Sequence, residues 1–200
     1  MAPSAAPVPG VLTVRAVLGL ALVDELGLVW GELRDLALAR DGWRAGLLDL
    51  VVEDRAGELV VARPPGLLLD GRLLRAPIAG EGRIRGEPPG ESLRVRRDLL
   101  GRPALDLAGA RRFTVHDVRL DTSRGGVRLG AASAAGPGLL HRGQDSWVDW
   151  PAVAPLALDS PVALEVLGGR VRGQGGAGFR RLLEELASDE RDAVRAAVLG

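Results

Sequence analysis

Four aspartates recur at a fixed spacing and are the first residues whose type suggests chemistry. Asp24 and Asp35 are matched 82 positions later by Asp106 and Asp117. Hard divalent cations prefer carboxylate oxygens, so a cation site is one interpretation of these residues. The other is structural, because an aspartate at a strand end or turn accepts hydrogen bonds from nearby backbone amides. We favour the structural interpretation, since positions that persist in both copies of a repeat are those that the fold needs.

A second group of acids lies near the C-terminus and is a candidate cation site. Its members are Glu184, Glu185, Asp189 and Glu190. The alternative is a solvated helix surface with favourable negative charges at a helix start. The sequence has no cysteine and only two histidines, which excludes a zinc site built on thiolates.

Arginine provides a third candidate site. The chain has 26 arginines and no lysine, against 26 acids, but residues 91–130 carry nine arginines and only five acids. Arginines clustered in this way can contact the phosphates of RNA. They fit equally well on the exposed face of strands, where alternate residues point to solvent. The candidate RNA-binding residues are Arg94, Arg96, Arg97, Arg102, Arg111 and Arg112.

The sequence contains no recognisable catalytic motif. The glycine-rich segment 168–178 lacks the Lys-Ser/Thr pair of a phosphate-binding loop, and no nucleophile elbow is present. No apolar run reaches the roughly 18 to 20 residues that a membrane span needs. We therefore expect a soluble, cytoplasmic protein that is not an enzyme and does not insert into a membrane.

An internal repeat indicates which elements position these residues. Gly19 and Gly27 recur as Gly101 and Gly109, in the same register as the aspartates, so duplication of one unit is the simplest explanation. Each copy has short apolar stretches punctuated by Gly or Asp, which is typical of small β-meanders and barrels. The predicted strands are 28–38, 47–52, 58–62, 73–77, 112–120 and 127–132.

The C-terminal segment has helical periodicity instead. Phe179, Leu182, Leu183 and Leu186 recur at helical spacing, and Ser188 is the predicted N-cap of a further helix. A pair of short helices cannot bury its own apolar face. These four residues are therefore the candidate partner-binding residues.

The second copy resembles a PRC-barrel domain, a small β-barrel. The resemblance lies in the order Leu100-Gly101, Asp106, Gly109 and then apolar-x-Asp-apolar-x-Leu over Val115–Leu120. Together with the segment LEELASDER after it, this arrangement is similar to the cytoplasmic region of MgtE-type magnesium transporters, where paired barrels precede a helical N domain. The resemblance implies a role in magnesium transport or its sensing, and with it a weak association of Mg²⁺ with Glu184, Glu185, Asp189 and Glu190.

The predicted fold is mainly β, with two tandem small PRC-barrel-like β-barrels followed by a short C-terminal helical pair. The predicted divisions are a flexible tail (1–10), a first barrel (11–78), a linker (79–92), a second barrel (93–157), a linker (158–176) and the helical pair (177–200). Full-length transporters add CBS domains and a membrane channel. We therefore expect a free-standing relative or a fragment, without transport activity of its own.

The predicted function is a non-enzymatic interaction or regulatory module whose partner is a membrane transporter or one of its regulators, with a homodimer as a further option. The alternative is an RNA- or ribosome-associated assembly factor that uses the arginine-rich second barrel. A PRC-barrel domain also occurs in a ribosome-maturation factor, which is why this alternative stays open.

Overall fold

The computed structural model describes residues 12–77, 83–85, 91–122, 125–135, 146–172 and 174–199. The fold is mainly β, as predicted, with two sheets and a few C-terminal helices. The first sheet contains β2 (Ala21–Val23), β3 (Val29–Ala39), β4 (Leu48–Asp54), β5 (Gly57–Val61), β6 (Leu68–Asp70), β7 (Leu73–Arg75), β8 (Arg83–Arg85) and β9 (Ser92–Arg94). The second contains β1 (Leu12–Thr13), β10 (Pro103–Asp106), β11 (Arg111–Asp121), β12 (Arg128–Ala135), β13 (Ser146–Asp149) and β14 (Val153–Pro155).

Each sheet is an open path of hydrogen-bonded strands. The order is β6-β7-β2-β3-β4-β5-β8 in the first sheet, with β9 also on β3. It is β13-β12-β11-β10-β14 in the second sheet, with β1 also on β11. Neither path closes on itself within the described part of the chain, so barrel closure is not found.

The helices are short. They are α1 (Val14–Val17), α2 (Pro161–Val171), α3 (Ala177–Glu184) and α4 (Ser188–Leu199), with 3₁₀ turns at Trp43–Ala45 and Trp150–Ala152 and a π-helical turn at Val95–Leu99. Helix α2 occupies most of the segment predicted as a linker over 158–176. Among the described residues, no helix has the length and apolar character needed to cross a membrane.

The sequence repeat corresponds to a repeated backbone arrangement. The Gly19 amide donates to the Leu33 carbonyl at 2.8 Å, and the Gly101 amide donates to the Val115 carbonyl at 2.8 Å. Both glycines have a positive φ, 81° and 76°, a conformation that glycine adopts without steric cost. The same turn thus leads into β2 or β10 and donates to the equivalent long strand, β3 or β11, in each half.

The two halves exchange their first strands. Strand β1, which opens the first copy, pairs with β11 of the second sheet, and β9, which opens the second copy, pairs with β3 of the first sheet. Each exchanged segment is held by a repeated aspartate at a β-bulge. Asp35 accepts the Arg96 amide at 2.7 Å, and Asp117 accepts the Arg15 amide at 3.1 Å.

The repeated aspartates therefore have structural roles. Asp35 and Asp117 also accept the amide of the residue that follows each of them. Asp24 accepts the amides of Leu26 and Leu28, both at 2.9 Å, and Asp106 accepts that of Gly109 at 2.8 Å. Each carboxylate satisfies backbone donors that a turn or bulge leaves without a strand partner.

The two exchanged segments differ by one residue, and this difference explains the π-helical turn. In α1 the Leu18 amide donates to the Val14 carbonyl, four residues back, whereas the Leu100 amide donates to the Val95 carbonyl, five residues back. Asp98 is the additional residue. Its carboxylate is buried and accepts the Arg94 amide at 2.8 Å.

A single continuous cluster of buried residues runs through both halves, from Val14 to Val166. Backbone bonds join the sheets directly, since the Leu48 amide donates to the Val127 carbonyl and the Leu129 amide to the Gly46 carbonyl, each at 2.9 Å. The two halves therefore share one buried cluster. The predicted tail over 1–10 and most of the predicted linker over 79–92 lie outside the described residues.

Helix α2 packs against both halves through an aromatic cluster formed by Trp43 and Trp150. The Arg170 guanidinium lies 5.5 Å from the Trp43 ring centroid and 5.8 Å from that of Trp150, and its Nη1 donates to the Pro151 carbonyl at 2.7 Å. Burial lowers the pKa of Arg170. Gly169 packs against the Trp43 ring so closely that an added Cβ would lie 2.7 Å from Cζ2.

Candidate docking groove at the C-terminal helices

A groove between α3 and α4 lies at the predicted partner-binding residues. Its volume is about 480 Å³. Its apolar lining comes from both helices, because Phe179 and Leu183 belong to α3 and Val198 and Leu199 to α4. The Leu199 side chain is 87% exposed. The remaining lining residues are Gln174, Gly175, Gly176, Arg180 and Arg195.

Helix α3 is also anchored to the second sheet. Phe179 and Leu182 belong to a buried cluster that includes Leu105, Ala154 and Leu156. Leu186 joins the same cluster just after the end of α3. Of the four predicted partner-binding residues, three are therefore covered by this chain itself, and Leu183 is only partly buried.

Helix α4 is fixed by one buried carboxylate. Glu190 is 6% exposed and accepts two hydrogen bonds from Arg112, from Nε at 3.1 Å and from Nη2 at 2.7 Å. It also accepts the Ala187 amide at 3.2 Å. The Ala187 carbonyl accepts the Arg191 amide, so Ala187 holds the N-cap position and Glu190 caps the helix from its first turn. The prediction of Ser188 as the N-cap was wrong by one residue.

The candidate magnesium ligands do not form a metal centre. Glu190 is occupied by Arg112, and Glu185 lies 3.6 Å from Arg181. Glu184 and Asp189 are exposed. Within the described ranges, no group of three or more histidine or acidic side chains is arranged to hold a metal ion. The residues thus give no support for a Mg²⁺ site at this junction.

The arginines proposed to bind RNA mostly contact acids of this chain. The pairs are Arg94 with Glu58, Arg97 with Asp98, Arg102 with Asp159, Arg111 with Asp106, and Arg112 with Glu190. Arg96 donates to the Arg34 carbonyl at 3.5 Å. The excess positive charge of residues 91–130 is therefore partly neutralised by acids from other segments.

Val198 and Leu199 are groove residues that the sequence reasoning did not assign to a site. Their signal is present in the sequence, since Val194 and Val198 lie four residues apart and Leu199 follows directly. Residues at this spacing share one face of a helix. The sequence does not show which of these apolar residues face the sheet and which face outward, because that depends on how α3 packs.

The rim of the groove is positively charged. Arg180 and Arg195 are exposed, and in the described part of the chain neither lies within 4 Å of a carboxylate. An apolar floor between two free guanidinium groups favours a ligand with an apolar face and acidic edges.

No protein-family model matches the chain, and no curated protein is significantly similar to it. The resemblance to PRC-barrel proteins and to the cytoplasmic region of magnesium transporters therefore remains a prediction from the sequence. The geometry of the groove is the basis for a functional proposal.

Proposed function

We propose that the protein is a non-enzymatic interaction module that binds an amphipathic helix of a partner protein in the groove between α3 and α4. The observation that carries the proposal is an apolar groove with an almost fully exposed Leu199. Grooves between helices bind the apolar face of a third helix, because burial of apolar area drives association.

The charges that line the groove define the composition of the partner helix more narrowly. Arg180 and Arg195 flank the apolar floor, so the partner helix carries Asp or Glu on both sides of its apolar stripe. Complementary charges increase the association rate and discriminate against basic helices. Salt weakens this contribution, because the two arginines are exposed to solvent.

The sequence resemblance suggests the biological setting. It relates this chain to the cytoplasmic region of magnesium transporters, so we propose a regulatory role with a transporter or one of its soluble regulators as the partner. The proposal assigns no magnesium site to this chain. Millimolar Mg²⁺ is therefore expected to change binding only as far as its ionic strength does.

The RNA-binding alternative has less support from the geometry. Phosphate recognition needs arginines that are free to contact the ligand, and five of the six candidates already contact a carboxylate of this chain. Binding of RNA would have to displace those contacts.

Two model peptides test the proposal by fluorescence anisotropy. Both carry the same leucine stripe at helical spacing, and one has glutamate and the other lysine on its flanks. The acidic peptide is expected to bind, and the basic peptide at least tenfold more weakly. Equal binding of both peptides, or of neither, would overturn the proposal.

A matched pair of variants locates the binding site. Leu183→Glu places a charge on the groove floor and is expected to weaken binding of the acidic peptide at least tenfold. Leu164→Glu alters a leucine on α2 that is 38% exposed and lies outside the groove, so it should bind as the unmodified protein does. Thermal unfolding of both variants shows whether the fold is retained.

A further inference from the structure

A second apolar surface lies on the first sheet, away from the C-terminal helices. Six of the eight large apolar side chains that are exposed among the described residues belong to the β2–β3 hairpin or to the β6–β7 hairpin, and they are Leu26, Leu28, Val29, Leu68, Leu69 and Leu73. Leu68 is 67% exposed and Leu69 is 45% exposed. Strand β6, which carries both, is the terminal strand of the first sheet among the described residues.

The geometry of the β6–β7 hairpin indicates which backbone groups face outward. Asp70 pairs with Leu73 and Leu69 with Leu74, so the loop has two residues, and Gly71 at its first position has a φ of 63°. The residues that flank a two-residue loop exchange hydrogen bonds, and the pairs then alternate. Leu69 is therefore in a pair without hydrogen bonds, and its amide and carbonyl point to the free edge.

We propose that β6 pairs with β6 of a second copy of this chain, antiparallel and centred on Leu69. In this arrangement the amide of each Leu69 donates to the Leu69 carbonyl of the other copy, which satisfies the outward groups of both strands. The two first sheets become one continuous sheet. This interface is separate from the groove between α3 and α4 and does not depend on its function.

The side chains on both faces are compatible with this symmetry. Leu69 lies opposite Leu74, which is completely buried, so these two residues and their symmetry mates form a row of four leucines. On the other face, Leu68 lies opposite Arg75, and the two-fold axis places it beside Asp70 of the second copy.

Charge also favours a second copy as the occupant. Asp70 and Arg75 form an ion pair at 2.9 Å within one chain, and the two-fold axis places Asp70 of the second copy in the same cross-strand row as Arg75, with Leu68 between them. Opposite charges on neighbouring strands stabilise a sheet, whereas like charges directly opposite destabilise it. Asp70 is diagonal to Asp70 of the second copy rather than directly opposite it, and Arg75 neutralises each of the two carboxylates.

Light scattering after size exclusion tests the proposal with the full chain. The expected result is a mass that rises from monomer towards dimer as the concentration increases from micromolar to hundreds of micromolar. Leu69→Asp should remain monomeric throughout, because two carboxylates would face each other on the axis. Leu164→Asp, at a leucine of similar exposure on α2, should dimerise as the unmodified protein does.

Cross-linking tests the register, since the chain has no cysteine of its own. Cα atoms in a hydrogen-bonded antiparallel pair are about 5.5 Å apart, which a disulfide can span. Leu69→Cys is expected to form a covalent dimer under mild oxidation, whereas Leu164→Cys is not. A protein that is monomeric at every concentration, or a dimer that survives Leu69→Asp, would overturn the proposal.

Discussion

At the scale of single residues, Glu190 makes two connections with one carboxylate. It binds Arg112 of β11 and caps the first turn of α4, so it fixes both the position and the start of the last helix. Sequence reasoning identified Glu190 as a residue of interest but assigned it to a metal. The partner, Arg112, is 78 positions away, and nothing in the local sequence pairs the two residues.

Glu190→Ala is expected to lower the free energy of unfolding by about 2 kcal/mol, because the capping bond and charge-assisted bonds are lost together. Glu185→Ala is the control, since Glu185 is 54% exposed and forms only a surface pair with Arg181. Its effect should stay below about 0.5 kcal/mol. Urea unfolding measures both, and equal effects would show that Glu190 does not hold α4.

The environment of Asp35 is expected to make the free energy of unfolding depend on pH. Burial raises the pKa of Asp35 above its ordinary value, although the amides of Arg96 and Leu36 act in the opposite direction. In the pH range between the ordinary pKa and the raised one, the folded protein keeps a proton that the unfolded chain has released. The contribution of Asp35 to stability therefore falls as the pH rises through this range.

Asp35→Asn isolates this effect, because an amide oxygen can accept the same backbone bonds without ionising. The stability of the unmodified protein minus that of the variant is expected to fall as the pH rises from about 4, and then to level off. Urea unfolding at several pH values between 4 and 7 measures the difference. A constant difference would contradict the assigned cause.

At the scale of elements, α2 shows why glycine content alone misled the prediction of a linker. Gly168 and Gly169 reduce helix propensity, and the segment around them was accordingly predicted to be irregular. The structure supplies a reason for both residues to be small. Ala197 of α4 packs near Gly168, and the Trp43 ring covers Gly169.

These two glycines should respond oppositely to the same substitution. An added Cβ at Gly168 would lie 3.7 Å from the Ala197 Cβ, an ordinary contact, so Gly168→Ala is expected to leave stability unchanged or raise it by up to about 1 kcal/mol. Gly169→Ala forces the Trp43 ring to move and should cost about 1 to 3 kcal/mol.

Thermal or urea unfolding of the two variants measures this contrast. Trp43 fluorescence provides a second readout, because only Gly169→Ala disturbs its surroundings. Equal stabilities for the two variants would show that α2 does not pack closely on the ring.

The strands were easier to predict than the helices and their connections. The predicted 28–38 and 112–120 correspond to β3 and β11 within one residue at each end, because apolar residues alternate there between polar turns. Strands β1 and β9 have only two and three residues. Sequences this short do not predict that each strand pairs with the other half, because tertiary packing determines the pairing.

At the scale of the whole molecule, the two halves share their buried residues. The cluster that contains Leu22 and Leu33 also contains Phe113 and Val115. Because this cluster takes residues from both sheets, the repeat seen in the sequence does not divide the molecule into two folding units.

The protein is therefore expected to unfold in one cooperative transition. Each half contains two tryptophans, Trp30 and Trp43 in the first and Trp147 and Trp150 in the second. In a variant that keeps only the two tryptophans of one half, fluorescence reports on the unfolding of that half. Circular dichroism of the same variant reports on the whole chain. In each variant the two urea curves should coincide. Separate midpoints would show that the halves unfold independently.

The exchange of β1 and β9 has an implication for the origin of the chain. A polypeptide with one repeat would carry an opening strand whose docking aspartate lies on a different molecule. Two such molecules could complete each other only by trading these strands, as a swapped homodimer does. The present protein has the arrangement of such a swapped dimer within a single chain, since β1 pairs with β11 and β9 with β3.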